Sequence, residues 1–192
     1  MLFRSGGVAA TGTYAMHLDP DPYNRGGSQL INNGRIVAVA DMVGMSNVAN
    51  PVTGVVVPGI TQPQTINNGV ISVRNTVTGG LYGSATGVSA GNAVNNGLVE
   101  AYSDTAGAAG FNLGLYTPTL VNTGVIRVSG GPQANPIEIV GVTAAGTEVH
   151  IDNSGTIDVR SNAAGGHSIG INIFPNNTNV RSEEHTSELQ SH

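Results

Sequence analysis

Apolar and polar residues follow each other in the same order five times along this chain. Each copy sets an apolar residue before Asn-x-Gly, or Asp-Asn-x-Gly in the last copy, and places apolar residues two and four positions after the glycine. The copies cover residues 30–38, 65–73, 93–101, 120–128 and 151–159. Alternation with a period of two is typical of a strand that buries one face. The pattern therefore predicts a repeated strand that begins at a sharp corner.

The corner itself combines a glycine with an asparagine two residues before it. We expect the glycine to adopt the positive φ that a sharp corner requires. We expect the asparagines to form a ladder of side-chain amides from coil to coil. In the fifth copy Asp152 replaces an apolar residue, which predicts a shifted corner with Ile151 facing inward. The corner glycines are Gly34, Gly69, Gly97, Gly124 and Gly155, and the ladder asparagines are Asn32, Asn67, Asn95, Asn122 and Asn153.

A second motif, a glycine set among apolar or small residues, predicts another strand in each repeat. Successive corner glycines are 35, 28, 27 and 31 residues apart, a period typical of solenoids. Because no segment has the pattern of an amphipathic helix, strands and loops must connect the repeats. We predict an all-β fold, a right-handed parallel β-helix (β-solenoid) of about five coils stacked about 4.8 Å apart. The glycines of this second motif are Gly12, Gly54, Gly87, Gly110, Gly141 and Gly170.

The two ends of the chain differ from the repeats in composition. Residues 1–5 and 181–192 resemble translated sequencing adapters, and the second run holds three of the 12 acidic residues. We expect both ends to be artefacts that stay outside the fold, and residues 6–180 to be an internal fragment of a longer β-helix. A 14-residue step from Gly170 places the next corner glycine at position 184, where Glu184 stands. The intact protein is expected to continue with another Asn-x-Gly corner soon after Val180.

Composition and charge exclude several classes of function. The chain has seven arginines, no lysine and 12 acidic residues, and its net charge of −5 argues against nucleic-acid binding. The absence of cysteine excludes disulfides and thiolate metal sites. The sequence contains no run of about 18 apolar residues, so no transmembrane helix is predicted.

One polar loop offers ligands for calcium. Asp19, Asp21 and Asn24 supply oxygen atoms within residues 17–24. The loop lacks the central glycine and the distal glutamate of an EF-hand, and its two prolines explain it as a rigid turn. We therefore predict no metal site and no cofactor.

Candidate catalytic groups gather in the fifth repeat. Asp152, Asp158, Arg160 and His167 are close in sequence there, and a pair of carboxylates is what cleavage of a glycosidic bond requires. A solvated strand face and a loop histidine explain the same residues without chemistry. The prediction is that the chain has no catalytic residues.

Two outward positions on the strand after the corner predict surface features. The position one residue after the glycine is apolar in three consecutive coils. Such a row is either a contact surface or is covered by a neighbouring loop. Three residues after it, Glu100, Arg127 and Asp158 are predicted to form an exposed charge ladder. The first row is Arg35, Val70, Leu98, Val125 and Thr156, and the second is Val37, Ser72, Glu100, Arg127 and Asp158.

The combination of Asn-x-Gly-x-Ile/Val corners with a glycine-centred apolar strand resembles the passenger domains of autotransporters and filamentous-haemagglutinin-like adhesins of Gram-negative bacteria. The resemblance covers residues 6–180 and implies a β-helical stalk and interaction surface that is not an enzyme. It implies display at the cell surface or outside the cell, linked to the outer membrane by a translocator barrel that these residues lack. The implied partner is a protein or glycan on a host or neighbouring cell.

The alternative is a carbohydrate-active β-helix enzyme, either a polysaccharide lyase or a glycoside hydrolase. An enzyme should gather carboxylates and an arginine in a groove on one face. A stalk should show charges scattered over the coils.

Overall fold

Parallel strands make up the fold in a computed structural model, which describes residues 2–5, 13–17, 29–40, 52–57, 64–76, 84–104, 108–113, 118–131 and 138–184. In chain order the strands are β1 (Leu2–Ser5), β2 (Thr13–His17), β3 (Gln29–Asn32), β4 (Arg35–Ala40), β5 (Val52–Val57), β6 (Gln64–Asn67), β7 (Val70–Asn75), β8 (Ala85–Ala90), β9 (Asn92–Asn95), β10 (Leu98–Ser103), β11 (Ala108–Leu113), β12 (Thr119–Asn122), β13 (Val125–Gly130), β14 (Glu138–Asn153), β15 (Thr156–Ser161) and β16 (His167–Glu184).

The strands form two sheets among the described residues. The six-stranded sheet has the order β1-β4-β7-β10-β13-β15 and contains the strand that follows each corner. The ten-stranded sheet has the order β2-β5-β8-β11-β14-β12-β9-β6-β3, with β16 also paired to β14. Both halves of this second sheet meet in β14, which runs without a break from the glycine-centred strand into the next corner. Every pairing is parallel, so equal positions of successive repeats lie side by side.

The predicted fold class is confirmed, since the described residues contain no helix and their parallel strands form a β-solenoid. The structure forms about three turns, so the number of coils differs slightly from the five that were predicted. The first two repeats are described by their strands and corners, while residues 18–28, 41–51, 58–63 and 77–83 between them lie outside the described residues.

The inward positions of the repeat build the core. Two and four residues after the corner glycine, the side chains of the first four copies are at most 5% exposed. Ile157 and Val159 occupy these positions in β15 and are only partly buried. Among the described residues β15 is the last strand of its sheet, and none of the described strands covers them from that side. The largest fully buried side chains include Phe111, Ile71 and Leu113.

The glycine-centred strands bend at their glycine. In β8 both Gly87 and Val88 are buried in succession, which breaks the alternation of the strand. A Cβ on Gly87 would meet the carbonyl oxygen of Gly110 in the next coil at 2.6 Å, so only glycine fits at this bend. In β2, Tyr14 pairs with Thr53 of β5, so the residue opposite Gly54 is Ala15. Ala15 is 3% exposed. The prediction that Gly12 begins this series is therefore wrong by three residues.

The expectation that the corner glycines adopt positive φ is wrong. Among the described glycines, positive φ occurs at Gly165 (φ 74°), in the turn before β16. Close stacking explains the corner residue instead. A Cβ on Gly69 or Gly124 would overlap the carbonyl oxygen of the corner glycine in the preceding coil. Gly34 has no such neighbour within 4 Å. At the four later corners glycine is thus required by the approach of the preceding coil rather than by backbone conformation.

The fifth corner is not shifted, contrary to expectation. Asn153 pairs with Asn122, and Asp152 pairs with Val121 on the outward side. Ile151 is buried and pairs with Leu120. A charged residue fits at position 152 because that side chain faces away from the core.

Backbone pairing extends into both adapter-like ends. Leu2–Ser5 lies beside β4, and β16 pairs with β14 as far as Glu184 opposite Asn153. The expectation that both ends stay outside the fold is therefore wrong for residues 2–5 and 181–184. Parallel pairing uses backbone N–H and C=O groups, which these residues supply whatever their side chains. Residues 185–192 lie outside the described part of the chain, and the adapter origin stays a prediction.

The expected position of the next corner is also wrong. Pairing between β14 and β16 changes from Gly146 with Pro175 to Glu148 with Asn179, so β16 carries two extra residues at this bulge. Glu184 consequently stands in the register of the ladder asparagines and not in that of the corner glycines.

Candidate functional site

The five ladder asparagines lie in one line at the corner. Four of them are buried, at 6% exposure for Asn32 and 0% for the next three, and Asn153 is half-buried. The Nδ2 of each of the first four donates a hydrogen bond to the Oδ1 of the asparagine in the following coil. The distances are 2.8 Å from Asn32 to Asn67, 2.8 Å from Asn67 to Asn95, 2.7 Å from Asn95 to Asn122 and 2.6 Å from Asn122 to Asn153.

The same amides also hold the backbone of the corner. Asn67 Nδ2 donates to the carbonyl of Leu98 at 3.2 Å, and Asn95 Nδ2 donates to that of Val125 at 3.3 Å. The carbonyl of Asn67 accepts the N–H groups of both Asn96 and Gly97, at 2.8 and 2.9 Å. Hydrogen bonding therefore continues from coil to coil through a bend where ordinary strand pairing stops.

A second, exposed ladder runs beside the first and was not predicted. Asn68 Nδ2 donates to Asn33 Oδ1 and Asn96 Nδ2 to Asn68 Oδ1, both at 2.8 Å. Thr123 Oγ1 donates to Asn96 Oδ1 at 2.8 Å. These bonds point toward the N-terminal coils, opposite to those of the buried ladder. The sequence signal was available, since the residue before each of these corner glycines is Asn or Thr.

The predicted charge ladder is confirmed. Arg127 pairs with Glu100 on one side and with Asp158 on the other in strand register. Its Nη1 lies 3.1 Å from Glu100 Oε1, and its Nε lies 3.7 Å from Asp158 Oδ2. Arg160 adds a 2.8 Å contact from its Nε to Asp158 Oδ1. The Arg127 side chain is 52% exposed, so solvent screens both contacts.

A third outward row, five residues after the corner glycine, brings an arginine over an aromatic ring. The Arg74 guanidinium carbon lies 5.0 Å from the centre of the Tyr102 ring, a cation–π distance. Tyr102 Oη donates to Asp104 Oδ1 at 3.0 Å. Burial, together with the hydrogen bond to Asp104 and its negative charge, raises the pKa of Tyr102, while Arg74 acts in the opposite direction. The row consists of Val39, Arg74, Tyr102, Ser129 and Arg160.

The charge-ladder row and this third row enclose an open depression of about 210 Å³ on the face of β7, β10 and β13. We call it the Arg74 groove. Two guanidinium groups, a carboxylate, a phenol and two serine hydroxyls surround it. The lining residues are Ser72, Arg74, Glu100, Tyr102, Arg127 and Ser129, together with the apolar residues Val73 and Ala101. The sequence predicted Ser72, Glu100 and Arg127 on one outward row. It did not indicate Arg74 and Tyr102, because the residue type in their row changes from each coil to the next and arginine returns only at Arg160.

No family model matches the chain, and no curated protein or solved structure does so either.

The four candidate catalytic residues of the fifth repeat do not form one group. Asp158 and Arg160 are in contact on β15, whereas Asp152 lies in β14 before the corner and the exposed His167 begins β16. Within the described residues, no three His, Asp or Glu side chains gather as metal ligands. The proposed calcium ligands Asp19, Asp21 and Asn24 lie outside the described residues.

The outward apolar row that follows the corner is half-buried at Val70, Leu98 and Val125 and exposed at Arg35 and Thr156. Among the described residues there is no helix that is long and apolar enough to cross a membrane.

Proposed function

We propose that the chain is a segment of an adhesin-like autotransporter passenger, in which a β-helical stalk presents an interaction surface outside the cell. The observation that carries this proposal is the outer face of the six-stranded sheet. Arg127 bridges Glu100 and Asp158 across three coils, and Arg160 joins the same cluster. Charges that satisfy one another along the solenoid axis fix the register of the coils and leave a polar surface for a partner.

The stalk role is supported by the way each coil is tied to the next. Buried amides, exposed amides and the charge ladder all run parallel to the axis and repeat from one rung to the next. In a solenoid each repeat contacts its neighbours, so such axial contacts stabilise the rod as a whole. On this proposal the intact protein is exported, linked to the outer membrane by a translocator barrel, and meets a protein or glycan on a host or neighbouring cell.

Attachment to cells tests the proposal. The folded chain, labelled with a fluorophore at its N-terminus, is added to panels of bacterial and epithelial cells and measured by flow cytometry. Saturable binding that unlabelled chain displaces supports an interaction surface. Absence of displaceable binding on every cell type contradicts it.

One observation favours the carbohydrate-active enzyme as a second candidate. Glu100, Arg127 and Asp158 do lie on one face beside a groove, as an enzyme would require. Their arrangement counts against catalysis, because Arg127 fills the space between the two carboxylates where a glycosidic bond would have to sit. Incubation with a panel of polysaccharides, with detection of new reducing ends and of unsaturated products, decides the matter. Turnover that Glu100→Gln and Asp158→Asn both abolish would establish the enzyme.

A further inference from the structure

We propose that the Arg74 groove binds a carboxylate-bearing saccharide, with Arg74 holding the carboxylate of the sugar. This inference rests on the proposed interaction surface and identifies the chemical class of its partner.

The distribution of charge around the groove singles out Arg74. Arg127 is already shared between Glu100 and Asp158, and Arg160 is bound to Asp158. Arg74 makes no salt bridge with any carboxylate of the described residues. Its described contact is with the Tyr102 ring, which leaves the guanidinium N–H groups at the rim. An arginine in this state is ready for a bidentate bond to an incoming carboxylate.

The Tyr102 ring also fixes the position of that arginine. A cation over an aromatic face is held by the ring quadrupole, so less side-chain freedom is lost when a ligand binds. Tyr102 is itself anchored through its hydroxyl to Asp104. The arginine, the ring and the carboxylate thus form a supported anion site rather than a free surface side chain.

The remaining groups of the groove match sugar hydroxyls. Ser72 and Ser129 offer hydroxyls, and Glu100 offers carboxylate oxygens that accept O–H donors. The depression of about 210 Å³ is smaller than the roughly 300–1,000 Å³ pockets that enclose drug-sized ligands. It is open to solvent and therefore suits one unit of a longer saccharide.

The test measures binding of trigalacturonate, an acidic saccharide, to the folded chain by NMR titration at low salt. Wild type should bind, and Arg74→Gln should weaken binding roughly 10- to 100-fold, the loss expected for a hydrogen-bonded charge. Arg74→Lys should recover part of the affinity, because a lysine cannot form the bidentate bond. Arg160→Gln is the matched control, since it removes one exposed positive charge from the same face outside the groove and should bind like wild type.

Neutral maltotriose and the acidic peptide triglutamate complete the comparison. The proposal expects both to bind at least about 10-fold more weakly than trigalacturonate. It is overturned if trigalacturonate does not bind at about 10 mM, if Arg74→Gln and Arg160→Gln weaken it equally, or if triglutamate binds as well. Cell attachment without trigalacturonate binding would refute this site and leave the interaction surface standing, whereas loss of both would refute both.

Discussion

Replacement of Asn95 by alanine tests the buried ladder where its contacts are fully described. Asn95 is 0% exposed, accepts from Asn67 Nδ2 at 2.8 Å, and donates to Asn122 Oδ1 at 2.7 Å and to the carbonyl of Val125 at 3.3 Å. The Asn95→Ala variant removes all three bonds. Asn67 Nδ2 keeps its bond to the Leu98 carbonyl, but Asn122 Oδ1 loses the donor that faces it.

The expected cost follows from these orphaned groups. A buried polar atom without a partner costs about 1–3 kcal/mol, so the loss of the three bonds should lower the free energy of unfolding by about 2–4 kcal/mol. Asn96→Ala is the matched control, because it deletes the same side chain from the exposed ladder next to it. Water can replace the hydrogen bonds that the Asn96 amide made, so we expect the free energy of unfolding to change by about 0.5 kcal/mol or less.

Urea denaturation followed by circular dichroism measures both variants, with the m-value reporting whether the unfolding unit changes. Equal costs for Asn95→Ala and Asn96→Ala would show that burial does not determine how much the amide hydrogen bonds stabilise the corner. Asn95→Asp adds a pH signature. The carboxyl introduced at position 95 must donate to Asn122 Oδ1 to keep the ladder, so its folded pKa should lie above its unfolded value of about 3.9. Stability should therefore be greatest below that value and decline as pH rises through the folded pKa.

Four further outcomes are expected. Gly124→Ala should destabilise the protein by more than about 2 kcal/mol because its Cβ would overlap the Gly97 carbonyl, while Gly34→Ala, with nothing within 4 Å, should be tolerated in thermal unfolding. Thr65→Val should raise the free energy of unfolding measured in urea by about 1 kcal/mol, because the buried Thr65 Oγ1 has no hydrogen-bond partner among the described residues. Arg127→Gln should cost at most about 1 kcal/mol, and the difference from wild type should shrink in 1 M salt. Spectrophotometric titration should show the Tyr102 phenol ionising above the usual tyrosine range, and Asp104→Asn should lower the pKa of Tyr102 by weakening a hydrogen bond and removing a negative charge.

The parts of the fold that repeat could be predicted from the sequence. Asn67, Asn95 and Asn122 recur at one offset from the corner glycine, and the inward pairs recur at two others, so stacking places them together whatever the loops between them do. The same argument placed Arg127 between Glu100 and Asp158. Register in a parallel solenoid propagates from one aligned position to every other.

What failed was local or unrepeated. The reason for glycine at the corner depends on the approach of a neighbouring carbonyl, which a single repeat does not reveal. Ala15 stands where Gly12 was expected, and the bulge after Gly146 moved the last register by two residues. The Arg74 groove depends on Arg74 and Tyr102, which lie in a row whose residue type changes from each coil to the next, so no periodic pattern indicated it.

Disulfide trapping tests the in-register stacking of coils most directly, since the chain contains no cysteine of its own. Ser129 and Arg160 are paired across β13 and β15, and parallel neighbours about 4.8 Å apart fall within the Cα distance of a disulfide. The double variant Ser129→Cys with Arg160→Cys should form an intramolecular disulfide in the folded monomer, detected by mass spectrometry. The pair Ser129→Cys with Ser161→Cys, one residue out of register, should not form one. Efficient trapping of the second pair and not the first would contradict the stacked register on which the whole account depends.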